Sequence, residues 1–273
     1  MKKWWLSAIA VFCMCTQLAT AEDLFPDKAL EAAVRKQVFE KRDNDQPLTA
    51  DDVKRISVVK GKSMGIKNLQ GLEHCVALEE LDLEDNKIYD ISAIAELKLL
   101  LSVTLTDNNI TDIKPLANLT RMQYLQLDDN QVIDISPLEN ISNMRSLYLG
   151  GNRIQDVSVL PKLTKLWSLN LAGNPVKDFS PLSELKGLDT MNFNHCGISD
   201  LSFLKPLPSI MSIQLMDNKI TDLSVLVEMA RADEMRRFSP FWRIFLKGNP
   251  LDKEATPTQI EELAKMGARI TIE

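Results

Sequence analysis

A spacing of 22 residues, repeated along most of the chain, constrains the fold more than any other feature of the sequence. The stretch from Leu78 to Leu97 reads LEELDLEDNKIYDISAIAEL, and its pattern of apolar residues and a closing asparagine returns at each step. The closing position holds Asn86, Asn108, Asn130, Asn152, Asn174, Cys196 and Asn218. A fixed period of this length predicts a solenoid, because a unit with one short strand buries its apolar side only by stacking on its neighbours.

In each unit, two apolar residues separated by one other residue lie shortly before the closing position. The pairs are Leu81/Leu83, Val103/Leu105, Leu125/Leu127, Leu147/Leu149, Leu169/Leu171, Met191/Phe193 and Ile213/Leu215. Alternation at this spacing is typical of a strand with one face in the core. Stacking pairs the strand edges, so the sequence predicts one parallel sheet over a continuous core.

Residues 1–21 have the composition of an export signal. Lys2 and Lys3 precede an apolar run that ends at Cys15, and the A-T-A sequence ending at Ala21 fits a cleavage site. The apolar run is too short to span a bilayer. We therefore expect cleavage after Ala21 and a secreted or periplasmic protein without a membrane span.

The mature chain is expected to form one domain, with a cap at each end of the repeats. Asp27 and a capping box of Thr49 and Asp52 predict helices before the first repeat. The predicted parts are an N-terminal helical cap at 22–58, repeats at 59–251 with a helical insertion at about 227–240, and a C-terminal cap at 252–273.

The helical cap that ends in LTADDV, the first turn KSMGIKNLQGL at 62–72 and the I-x-D-I-S-x-L repeats resemble bacterial internalin-type leucine-rich-repeat proteins. The resemblance covers essentially the whole mature chain. It implies an α/β solenoid, a leucine-rich-repeat horseshoe or arc with a parallel sheet on the concave side and short helical turns on the convex side. It also implies binding through the concave face.

A second column consists of carboxylates, at Asp90, Asp112, Asp134, Asp156, Asp178, Asp200 and Asp222. Several precede Ser-Pro-Leu, which is typical of an aspartate that caps a one-turn helix with proline in its first turn. A calcium site needs six or more converging oxygens, which one carboxylate per turn does not supply. We expect the column to be structural.

Composition argues against several functions. Without residues 1–21 the chain has 30 basic and 38 acidic residues, and the basic ones form no stripe, so nucleic acid is not an expected partner. Two histidines and no His/Cys cluster predict neither a metal nor a cofactor. Cys75 and Cys196 are separated by five and a half periods, on the order of 26 Å in a stacked sheet, too far for a disulfide.

Functional residues are expected at the outward strand positions, which the repeat leaves free to vary. These positions change from acidic in the first strand (Glu80, Asp82, Glu84) to basic and aromatic in the last (Arg243, Phe245, Lys247). We predict a contact centre at Tyr124, Tyr148 and Trp167, because Tyr, Trp and Arg dominate interface hot spots. The predicted binding residues are Tyr124, Gln126, Asp128, Arg145, Tyr148, Trp167, Asn170, Arg243 and Phe245.

The sequence therefore predicts an exported, non-enzymatic and monomeric interaction protein that binds a protein or a glycan through its concave face. A second hypothesis is an envelope spacer protein with contacts at its caps or at the 227–240 insertion. A third is a glycan hydrolase that uses Asp82, Glu84 and Asp128, although an open repeat face lacks the enclosing pocket that shifts carboxylate pKa values.

Overall fold

The computed structural model describes residues 23–235, 237–238 and 242–272. The predicted export signal lies outside these residues. Within them, ten three-residue strands pair in chain order into one parallel sheet. The strands are β1 (Val58–Lys60), β2 (Glu80–Asp82), β3 (Ser102–Thr104), β4 (Tyr124–Gln126), β5 (Ser146–Tyr148), β6 (Ser168–Asn170), β7 (Thr190–Asn192), β8 (Ser212–Gln214), β9 (Arg243–Phe245) and β10 (Arg269–Thr271).

The register of the sheet follows the 22-residue period. Leu125 pairs with Leu147 on the next strand, and Leu147 pairs with Leu169. Leu125 and Leu147 have no exposed surface, and Leu169 has 1%. Burying a leucine side chain stabilises a fold by about 1.5–3 kcal/mol, so this column of apolar residues is the main stabilising element of the solenoid. The predicted fold is confirmed.

The asparagine column forms a continuous ladder of hydrogen bonds. The side-chain amide of Asn130 donates to the carbonyl oxygens of Leu105 and Leu127 at 2.9 and 3.2 Å, and its Oδ1 accepts from the backbone N–H of Ile110 at 2.9 Å. The Leu127 carbonyl also accepts from Asn152 at 2.8 Å. Each such carbonyl thus joins two successive turns. This satisfies backbone groups that the tight bends would otherwise leave buried and unpaired.

The convex side consists of short 3-10 helices, one for each turn. In the described residues they span Leu72–His74, Ser92–Ile94, Lys114–Leu116, Ser136–Asn140, Leu160–Lys162, Ser180–Glu184 and Ser202–Leu204. Oδ1 of Asp134 accepts from the backbone N–H of Ser136 at 2.8 Å, and the other six aspartates of the column make the equivalent bond. The side-chain and backbone hydrogen bonds from Ser136 hold the pKa of Asp134 below its usual range. The aspartates thus fix the turns that lead into the convex helices, while the N-cap residue itself is in most turns the apolar residue that follows and makes no side-chain cap bond.

The N-terminal cap consists of α1 (Lys28–Arg35) and α2 (Ala50–Val53). Asp27 caps α1, and Thr49 with Asp52 forms the predicted capping box of α2. Oδ2 of Asp27 also accepts from the backbone N–H groups of Lys67 and Asn68 at 2.8 and 3.1 Å. One carboxylate therefore starts the cap helix and ties it to the first repeat.

At the other end, α3 (Ser224–Ala232) and α4 (Ala255–Lys265) pack together, joined by an ion pair of Arg231 and Glu262. The helical insertion was expected at about 227–240, and the structure has α3 beginning at Ser224, after the turn in which the Ser224 N–H donates to Asp222. It ends at Ala232. None of the helices in the described ranges has the length and apolar character needed to cross a membrane.

Candidate functional site

The concave face presents three outward side chains per turn, and the parallel register aligns them in rows across the sheet. Tyr124 and Gln126 lie at the two ends of β4, next to Ser146 and Tyr148 on β5. These side chains are half-buried, because neighbouring side chains on a concave surface lean against each other. The face therefore offers a packed polar and aromatic surface.

Tyr124 and Tyr148 contact each other directly. Their ring centroids are 5.5 Å apart and the planes are inclined by 50°. The Tyr124 hydroxyl donates to Oε1 of Gln126 at 2.6 Å, and the Ser168 hydroxyl donates to that of Tyr148 at 3.2 Å. Burial raises the pKa of Tyr124. Both rings are held in place before any partner arrives.

Trp167 and Arg145 immediately precede β6 and β5, at the start of these strands. The Trp167 side chain is 55% exposed, and its backbone N–H donates to the Arg145 carbonyl at 2.8 Å. An exposed indole is typical of an interface anchor, and Trp167 is adjacent in the chain to Ser168, whose hydroxyl bonds Tyr148. We call Tyr124, Tyr148 and Trp167 the aromatic cluster.

Asp128 and Asn170 are brought together across the turn that separates them. Oδ1 of Asp128 accepts from the Asn170 amide and from the backbone N–H of Gly150, both at 2.7 Å. A Cβ at Gly150 would lie 2.8 Å from Nδ2 of Asn170 and 2.9 Å from Oδ1 of Asp128. The bridge therefore requires glycine at this position. Burial raises the pKa of Asp128, and these hydrogen bonds offset part of the effect.

Arg243 and Phe245 lie on β9, four strands beyond β5 and on the order of 19 Å away. They do not join the aromatic cluster. Arg243 is in register with Arg269 on β10, which sequence reasoning assigned to the C-terminal cap and did not count as a site residue. In the sequence, Arg269 and Thr271 alternate with apolar residues, and this pattern indicates that both lie at outward positions of a strand. We call Arg243 and Arg269 the basic end.

The hydrolase hypothesis finds little support in the geometry. Glu84 pairs with Lys62 at 2.8 Å, and Asp128 is occupied by the bridge described above. Within the ranges that the structure describes, no group of three or more His, Cys, Asp or Glu residues could hold a metal ion.

Cys75 and Cys196 are both buried and free. Burial raises the pKa of the Cys75 thiol to about 12 and that of Cys196 to about 11. The Cys196 thiol donates to the Leu171 carbonyl at 3.2 Å, in place of an asparagine amide. Neither thiol is placed to act as a nucleophile, because the reactive form is the thiolate.

A family model of leucine-rich repeats, in two copies, matches residues 98–140 and 142–184. The chain is a leucine-rich-repeat protein. Its fold is similar to that of an internalin (inlF) from Listeria monocytogenes, with a TM-score of 0.74 and 28% identity over 91% of this chain and 76% of that one. The fold is also similar to that of internalin C2 (inlC2) from the same species, with a TM-score of 0.64 and 25% identity over 92% of this chain and 95% of that one.

A leucine-rich-repeat protein of Leptospira interrogans matches with a TM-score of 0.54 at 19% identity, over 82% of this chain and 51% of that one, which shows the fold alone. None of the curated protein sequences compared with the chain matches it. The internalin-like leucine-rich-repeat fold is typical of protein-interaction modules and is usually non-catalytic. The predicted resemblance is confirmed.

Proposed function

We propose that this leucine-rich-repeat protein binds a partner protein through its concave face, with the aromatic cluster at the centre of the contact. The observation that carries the proposal is the fixed contact of Tyr124 with Tyr148 on the concave face, with the exposed side chain of Trp167 immediately before β6. The buried columns of the solenoid do not require aromatic side chains at outward positions. Aromatic rings provide large contact areas and make up a large share of interface hot spots.

Preorganisation supports the same proposal. A side chain that is immobilised on binding costs about 0.5–1.5 kcal/mol of conformational entropy. The hydroxyls of Tyr124 and Tyr148 already have hydrogen-bond partners on the same face, so their rings need little further ordering. The half-buried amides of Gln126 and Asn170 offer polar contacts around the rings. A glycan would also use such contacts, and the experiment below distinguishes the two.

The test is a pull-down from the producing organism with the wild type and a Tyr148→Ala/Trp167→Ala variant. Phe39→Ala/Tyr89→Ala is the matched control, because these aromatic side chains are 76% and 66% exposed and lie outside the concave strands. We expect the concave variant to lose the captured protein and the control to retain it. Unfolding curves measured on all three proteins check that neither variant acts through misfolding.

Two other results would redirect the proposal. Capture that disappears when the extract is treated with protease indicates a protein, whereas capture that disappears with periodate indicates a glycan. Capture that survives the concave variant contradicts the proposal and favours the spacer hypothesis. A cleft of about 330 Å³, lined in part by Leu207, Met229 and Phe238, lies beside the helical insertion and would then be the next surface to test.

We also propose that the protein is exported and that residues 1–21 are removed. The support is the sequence of that segment, with lysines before an apolar run and a small-residue cleavage site. N-terminal sequencing of the protein from its producing cells should begin at Glu22. A chain that retains Met1 in the cytosolic fraction would contradict this proposal.

A further inference from the structure

The basic end places two arginines side by side, and neither forms an ion pair with another residue of the described ranges. Arg243 and Arg269 are register partners on adjacent parallel strands, about 4.8 Å apart at the backbone, and both are exposed. In the described part of the chain, the arginines that form ion pairs are at other positions: Arg35, Arg42 and Arg231. Like charges on neighbouring strands destabilise a sheet. Folding therefore gains nothing from this pair.

The opposite end of the face is arranged differently. Glu80 pairs with Lys60 and Glu84 pairs with Lys62, both at 2.8 Å, so the first two strands neutralise much of their own charge. The outward residues of β7 and β8 are uncharged, as are those that follow each strand on the same face. They are Thr190, Asn192, Asn194, Ser212, Gln214 and Met216. Apart from Asp189, which precedes β7 two strands from β9, or on the order of 10 Å, the basic end thus borders a neutral surface.

The carboxylate next to the aromatic cluster, Asp128, is too far from Arg243 and Arg269 to neutralise their charge. Asp128 follows β4, which lies five strands from β9, or on the order of 24 Å. Exposed charges are largely screened beyond about 8–10 Å at physiological salt. The positive potential of Arg243 and Arg269 is therefore available to a binding partner.

Phe245 adds an apolar contact beside these charges. It is half-buried at the other end of β9, between Gln214 on β8 and Thr271 on β10. An arginine guanidinium presents a planar fork that matches a carboxylate. The basic end together with Phe245 can therefore take a carboxylate and an apolar side chain that are close together in one segment.

We propose that the basic end binds an acidic and apolar segment of the partner protein, with the carboxylates held by Arg243 and Arg269 and an apolar side chain packed on Phe245. This inference rests on the proposed function and specifies the chemistry of the partner. A polyanion such as a sulfated glycan fits less well, because it would need a stripe of basic residues, whereas the outward residues of β7 and β8 beside these two arginines are uncharged.

The test is selection of a random peptide library on the immobilised full chain, followed by affinity measurements on selected peptides. The variant is Arg243→Gln/Arg269→Gln. The control is Arg121→Gln/Lys162→Gln, which removes the same charge from exposed residues outside the concave strands. Each selected peptide is also compared with a form in which every Glu is replaced by Gln and every Asp by Asn.

We expect the selected peptides to be enriched in Asp and Glu next to Leu, Ile or Phe. The Arg243→Gln/Arg269→Gln variant and the amide peptides should each weaken binding by about 10-fold to 100-fold, as expected for hydrogen bonds to charged groups. The control should bind as the wild type does. Peptides without acidic enrichment, or equal affinity for the arginine variant, would overturn the inference.

Failure of this inference can be told apart from failure of the proposed function. If the peptides bind Arg243→Gln/Arg269→Gln as tightly as the wild type but lose affinity for Tyr148→Ala/Trp167→Ala, the inference is overturned and the proposed function stands. If their affinity is unchanged by both variants, the inference and the proposed function are both overturned. Retention on immobilised heparin that depends on Arg243 and Arg269 would also overturn the inference, because it assigns the basic end to a sulfated glycan.

Discussion

Replacing Asn108 with alanine should remove one step of the asparagine ladder and strongly destabilise the protein. Its side chain is buried, and its Oδ1 accepts from the backbone N–H of Ile88 at 2.9 Å. Its amide donates to the carbonyls of Leu83 and Leu105, both at 3.1 Å. All three partners are backbone groups within the solenoid.

The loss in the free energy of unfolding depends on which backbone N–H and C=O groups are left without a hydrogen-bond partner. The Ile88 N–H becomes a buried donor without an acceptor, which costs about 1–3 kcal/mol. The carbonyls of Leu83 and Leu105 keep their second bonds, from Asn86 and Asn130, both at 2.9 Å, so losing the first adds only about 1 kcal/mol. We expect a loss of about 2–4 kcal/mol in the free energy of unfolding, a large fraction of the 5–15 kcal/mol of a typical domain.

The assay is equilibrium urea unfolding, with the midpoint and the slope reported separately. Asn109→Ala is a matched control, because Asn109 is the next residue but its side chain is exposed. The control should change the free energy of unfolding by less than about 0.5 kcal/mol, as is usual at the surface. The slope should stay constant, because neither substitution changes the surface exposed on unfolding. A loss below about 1 kcal/mol for Asn108→Ala, or equal losses for both variants, would refute the ladder argument.

Three further predictions concern the bridge, the cap and the thiols. Gly150→Ala should lower the free energy of unfolding by about 1–3 kcal/mol in urea, because its Cβ would lie 2.9 Å from Asp128. Bonds from Lys41 and Thr49 lower the pKa of Asp52 to about 2, so its stabilisation is present above the ordinary pKa of 3.8 and is lost as pH falls through 2. The difference in melting temperature between the wild type and Asp52→Asn should therefore be widest at pH 7 and should close only below pH 2. Cys75 and Cys196 should resist iodoacetamide at pH 8 in the folded protein and react on unfolding, as followed by mass spectrometry.

The fold was predictable because its rules are local and repeated. Each inward leucine, each turn asparagine and each aspartate of the second column recurs at 22 residues, so many copies of one pattern support the same structure. The start of the inserted helix could not be taken from the sequence, because the count of extra residues locates an insertion only between two anchors. In the structure the bond from the Ser224 N–H to Asp222 precedes α3, as equivalent bonds precede the 3-10 helices of the other turns.

The candidate site was predictable only in part. Alternation along a strand identifies which residues point outward, and it placed Tyr124 and Tyr148 on one face. It does not show which outward residues touch. The bridge from Asp128 to Asn170 spans 42 residues and depends on the missing side chain of Gly150, and such coupling between turns has no sequence signature of its own.

The partner-facing role of the concave surface can be measured most directly by site-specific photo-crosslinking in the producing organism. A benzophenone amino acid is incorporated at Tyr148, within the sheet, or at Tyr89, whose side chain is 66% exposed and outside the concave strands. The account predicts a discrete protein adduct from position 148 and none from position 89. An adduct from position 89 with none from position 148 would contradict it.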